Sequence, residues 1–195
     1  GFSKKGDGTL VWNGNNSANT ADINVNGGTL EVANLMNLAS ATGVVNLGIN
    51  GRFSVRKESS VASDMDFTRR ISGQGELLIN LGDRTKNFTV NTSALGGSYT
   101  GLLTMANGHL SLDANADNLM QHATLKLDGN GSNIGSTKLN GSHTMQGLML
   151  NGGQLEVDYA SIDNRPLGHL TVDMLDVSGG GSLAVSTPAN LPNPI

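Results

Sequence analysis

The chain has 195 residues, a size that suits one solenoid domain, with 27 glycines, about twice ordinary usage. Only 14% of residues are charged and the formal net charge is −4, so the chain presents no general field for nucleic acid or a membrane surface. The lack of cysteine excludes a disulfide framework and a thiolate zinc site, and no apolar run reaches the ~18 residues of a membrane helix.

The first thirty residues hold Lys5-Gly6-Asp7-Gly8-Thr9-Leu10-Val11-Trp12-Asn13-Gly14, a polar loop, and then Ile23-Asn24-Val25-Asn26-Gly27-Gly28-Thr29-Leu30-Glu31-Val32. The second phrase reads as a half-buried strand, an Asn-Gly-Gly corner and another half-buried strand, because apolar residues alternate on both sides of the corner. Asn and Gly accept the positive φ that a corner needs. Trp12 alternates with Leu10 and is expected to pack at the first coil; sugar stacking is the other reading. The phrase returns at Asn46–Val55, then the chain breaks rhythm over 56–72, where Arg56-Lys57-Glu58 and Asp64-Met65-Asp66-Phe67-Thr68-Arg69-Arg70 predict an irregular charged loop. Ile71–Ile79 restarts a coil. Further copies lie at Leu103–Leu112, Leu148–Val157 and Leu175–Val185, with a partial copy at Leu125–Gly129.

Corner glycines at Gly28, Gly51, Gly108, Gly129, Gly153 and Gly181 mostly stand roughly 21 to 28 residues apart, and the long gap from Gly51 to Gly108 leaves room for a degenerate copy near Gly82. A period of this size with strands, corners and no helical periodicity predicts an all-β fold. The expected architecture is a right-handed parallel β-helix, or β-solenoid, of about seven to eight coils, each burying its apolar side only by stacking. Such a stack would be about 35–40 Å long. Residues 1–195 are read as a single β-helix fragment of a longer protein. Within it, 101–186 are the more regular coils and 187–195 a Pro-rich tail.

Several of these phrases resemble a known family. Lys5 to Gly14, the loop and Ile23 to Val32 together resemble the autotransporter-associated β-strand repeat, K-x-G-x-G-T-L-x-L-x-G-x-N followed by I-x-x-G-T-L-x-V. The loop departs from it, with Ser17-Ala18-Asn19-Thr20 where the family often has Tyr-Thr-Gly. Ile71-Ser72-Gly73-Gln74-Gly75-Glu76-Leu77 and Tyr99-Thr100-Gly101-Leu102 are similar to autotransporter passenger stalks. Met145 to Val185 resembles the C-terminal passenger coils that precede the translocator barrel. The resemblance implies a non-enzymatic structural and adhesive role, extracellular at the bacterial cell surface, either anchored to the outer membrane or secreted, in adhesion, autoaggregation or biofilm formation. Implied partners are surface glycans or proteins, further copies of itself, and the parent protein's translocator barrel, without membrane insertion of this fragment. The C-terminal coils would aid passenger folding, and the lack of cysteine suits export through a periplasm. The alternatives are a polysaccharide-degrading β-helix enzyme and a phage tailspike shaft.

Seven cations, Arg52, Arg56, Lys57, Arg69, Arg70, Arg84 and Lys86, form a candidate basic patch for acidic polymers, unless they balance Glu58, Asp64, Asp66, Glu76 and Asp83. Asp64 and Asp66 share one strand face and are the best acidic candidates for catalysis, with a solvated loop as the plainer explanation. The histidines at 109, 122, 143 and 169 lack ligand spacing. Asp128-Gly129-Asn130-Gly131-Ser132 alternates oxygen ligands like a calcium loop but lacks the later Glu, so an ordinary corner explains it. No cofactor, metal or catalytic residue is expected.

Overall fold

The computed structural model describes residues 1–13, 20–33, 43–56, 64–67, 69–90, 97–112, 120–139, 143–158 and 170–186. Every regular element among them is a strand. In chain order they are β1 (Phe2–Lys4), β2 (Thr9–Trp12), β3 (Ile23–Val25), β4 (Gly28–Val32), β5 (Val44–Leu47) and β6 (Gly51–Arg56). There follow β7 (Met65–Phe67), β8 (Arg70–Gly73), β9 (Glu76–Asn80), β10 (Asn87–Val90), β11 (Leu102–Leu112) and β12 (Thr124–Asn130). The last are β13 (Asn133–Leu139), β14 (His143–Asn151), β15 (Gln154–Asp158), β16 (Leu170–Asp176) and β17 (Ser182–Ser186). Strand β7 and all but the last residue of β8 fall inside the 56–72 stretch, while 57–63, Thr68 and the 187–195 tail lie outside the described residues.

These strands stack in parallel as a β-solenoid with three faces. The first face is the ladder β1-β3-β5-β8. The second runs β2-β4-β6-β9-β11-β12-β14-β16, in parallel pairs throughout. The third runs β7-β10-β11-β13-β15-β17, and the eleven-residue β11 turns from the second face to the third. Inward residues form columns. On the second face Leu10, Leu30, Phe53, Leu77, Leu103, Leu125, Leu148 and Leu175 stand in register, one per coil. From Leu30 to Leu148 this column is buried, and each such side chain contributes about 1.5–3 kcal/mol. Its last member, Leu175, and Leu183 on the third face lie on the last described strands of their ladders and are largely exposed. Phe67 meets both Phe53 and Phe88 in the core, with ring centroids 6.2 Å apart in each of the two contacts. Trp12 packs on Phe2 at the first coil, centroids 5.0 Å apart, in the packing role expected of it.

The repeated phrase does not mark one corner. In Ile23–Val32 and in Asn46–Val55 it joins the first face to the second, since β3 and β5 lie on the first and β4 and β6 on the second. In Leu103–Leu112, Leu148–Val157 and Leu175–Val185 it joins the second face to the third. The gap between Gly51 and Gly108 is therefore a change of corner. The coil inside it turns from first face to second at Gly73–Gly75, between β8 and β9, and Gly82 follows β9 on the way to the third face. Glycines at the first corner are dictated by close approach. A Cβ on Gly51 would strike the Val25 carbonyl oxygen, one on Gly75 that of Gly51, and one on Gly101 that of Gly75. Tyr99 closes this corner where the first-face ladder ends. Its buried hydroxyl lies 2.6 Å from the Leu102 carbonyl and 3.1 Å from that of Gly75, and accepts the Leu77 N–H, while burial pushes its pKa up.

Candidate functional site

Of the seven expected cations, the six that are described do not gather on one surface. Arg52 and Arg56 project from β6 on the second face and are paired across neighbouring coils. Arg52 Nε lies 2.6 Å from Glu76 Oε2, and Arg56 Nε lies 2.9 Å from Glu31 Oε1. Arg70 begins β8 on the first face, exposed to solvent. Arg84 and Lys86 precede β10, beside the third face, with Arg84 in a turn held by Asp83, whose carboxylate accepts from the Thr85 N–H and hydroxyl. Lys57 lies outside the described residues.

Arg69 is no surface residue at all. It is 2% exposed, donating through Nη2 to Ala21 O at 2.6 Å and through Nε to Gly43 O at 3.2 Å. Ala21 and Gly43 stand just before β3 and β5, so one guanidinium ties three successive coils at the entrance to the first face. Burial lowers its pKa and nearby Asp22 opposes that shift. Lys4 plays a similar inward role at the first coil, its ammonium donating to the carbonyls of Lys5, Gly6 and Gly27.

The acidic candidates are also accounted for. Asp64 and Asp66 do share the outward side of their strand, and Asp64 accepts from the Asn87 backbone and side-chain N–H groups at 3.0 and 3.1 Å. The Asp128–Ser132 segment is a tight corner in which β12 and β13 pair antiparallel at their ends. Asp128 there accepts from Asn151 at 2.7 Å and pairs with Lys126 at 3.0 Å. No group of three metal-ligating side chains occurs among the described residues.

Concavities of the outer surface include two among the described residues. One, of about 440 Å3, follows the corner between the first and second faces and is lined by Thr29, Ile49, Asn50, Arg52, Gln74 and Glu76, among others. The other, of about 160 Å3, lies on the third face around His109, Ser136, Gln154, Glu156 and Arg84. There Asn87, His109, Ser136 and Gln154 form one outward row in register, and His109 Nδ1 lies 3.0 Å from Ser136 Oγ. Burial lowers the His109 pKa from its ordinary 6.5; Glu156 opposes this and Lys138, paired with Glu156 at 3.1 Å, adds to it. The folded state then binds the His109 proton less tightly than the unfolded chain, so this group's stabilising contribution is present above pH 6.5 and is lost as pH falls through the lowered value. An NMR titration is expected to place the His109 midpoint below the ordinary histidine value of 6.5; a midpoint at or above 6.5 would contradict the packing of this row.

Comparison with family models, curated proteins and solved structures finds no match to this chain.

His122 is exposed and His143 is buried, while His169 lies outside the described residues. The corner groove escaped the sequence reading because its residues come from four successive coils. The one available signal was the spacing of Arg52 and Glu76, one coil apart and directly opposite in register.

Proposed function

We propose that this chain is a structural and adhesive segment of a secreted autotransporter passenger, a right-handed β-helix of seven to eight coils displayed outside the bacterial cell. Its role is adhesion, autoaggregation or biofilm formation, and it is not itself an enzyme. The coil number is supported by the second-face ladder, and the hand by the general right-handedness of parallel crossovers. The observation that carries the adhesive role is the set of polar rows on the outer surface. Ser3, Asn24, Asn46 and Ser72 stand in register on the first face, and Asn46 donates to Asn24 at 2.9 Å. Asn87, His109, Ser136 and Gln154 do the same on the third face. Rows of this kind offer many weak, repeated hydrogen bonds to a glycan, a protein or another copy, and multivalency turns them into firm attachment. The coils from Gly101 onward serve as a folding core, an assignment supported by their long strands, β11 to β14.

Beads coated with the chain provide the test. They are expected to clump or to be retained on bacterial or epithelial cells, and excess soluble chain should compete. Beads that neither clump nor adhere overturn the adhesive reading.

A further inference from the structure

The geometry points to the corner groove between the first and second faces as a binding subsite for a short neutral oligosaccharide. Its polar floor is already charge-balanced. Glu76 accepts from Arg52 Nε at 2.6 Å and from Thr104 Oγ at 2.7 Å, so a charged ligand would have to break an existing pair and strand one partner. A neutral hydroxyl needs no such exchange. It donates to the lone pairs that Glu76 keeps free and accepts from the remaining guanidinium N–H groups of Arg52. The amides of Asn50 and Gln74, both exposed at the rim, offer a donor and an acceptor each.

An apolar patch completes the requirement of a pyranose, which has a C–H face as well as hydroxyl edges. Ile49 supplies it, 74% exposed on the turn that carries Asn50. The volume of about 440 Å3 falls within the range of ligand sites, about 300–1,000 Å3. The groove is also elongated, because Thr29, Arg52, Glu76 and Leu102 occupy successive rungs of the second face. Three strand spacings span about 14 Å, enough for a linear chain of a few sugars lying along the solenoid axis. The anionic polymer expected for Arg52 from the sequence is thus replaced here by a neutral one, because Glu76 sits opposite it. The inference rests on the adhesive reading for its use at a cell surface.

The test is made on the isolated chain with maltotriose, cellotriose and chitotriose as neutral probes and a uronate-containing trisaccharide as the charged one. Amide NMR titration is expected to show at least one neutral probe binding with a dissociation constant on the order of 1 mM, moving Ile49, Asn50 and Gln74 signals. Ile49→Ser and Gln74→Ala are each expected to weaken that binding about fivefold without moving the urea midpoint, while Arg56→Gln leaves it unchanged. The assignment is overturned if no neutral probe binds, if the uronate binds more tightly, or if both groove variants bind as the parent does. A silent titration leaves the bead result standing, and beads that fail to adhere leave the titration standing, so the two readings fail separately.

Discussion

Arg69→Glu is expected to unfold the N-terminal coils, while Arg70→Glu, one residue on, is expected to be nearly silent. In the sequence the two arginines are equivalent members of one basic run. In the fold, Arg70 opens the outward row of β8 and Arg69 turns inward against the Ala21 and Gly43 carbonyls. A glutamate there would set a carboxylate against two carbonyl oxygens in a site only 2% exposed. Removing one partner from a buried charged network costs about 3–5 kcal/mol, and reversing the charge costs at least as much. That is a large share of the roughly 5–15 kcal/mol that stabilises a typical domain. Surface changes such as Arg70→Glu usually stay within about 0.5 kcal/mol. Arg69→Lys should fall between, since one ammonium lacks the guanidinium fork that spans both carbonyls. Urea denaturation followed by far-ultraviolet circular dichroism reads the difference. Equal midpoints for Arg69→Glu and Arg70→Glu would refute the clamp.

The second large effect is expected at Leu77. Its side chain is fully buried in the column between Phe53 and Leu103, so Leu77→Asp places an unpaired charge among apolar neighbours in the middle of the stack. We expect a loss of more than about 4 kcal/mol, or no folded product. Leu78, the next residue, faces outward between Ser54 and Thr104, and Leu78→Asp should cost about 1 kcal/mol, the range of strand propensity. Because each coil leans only on its neighbours, damage at Leu77 removes support from the coils of Phe53 and Leu103 together. Similar urea midpoints for the two aspartates would mean that the register of β9 is shifted by one.

What the sequence determined by itself was the set of decisions made within a few residues. Alternation in Ile23-Asn24-Val25 and in Leu30-Glu31-Val32 gave the inward sides, because successive side chains of a strand must point to opposite faces; all four apolar residues are buried. The spacing of the phrase gave the stacking, because a lone coil cannot bury its apolar side. What only the tertiary structure decided depends on contacts one or two coils away. The same strand–glycine–strand phrase serves two different corners, since any corner of closely stacked coils excludes a Cβ and local composition cannot tell them apart. Whether a cation faces water or the interior was equally invisible, because Arg69 is held by carbonyls contributed at positions 21 and 43. The charge of the candidate groove followed the same rule. Arg52 reads as a free cation along the chain, and becomes half of a neutral pair only when stacking sets Glu76 opposite it.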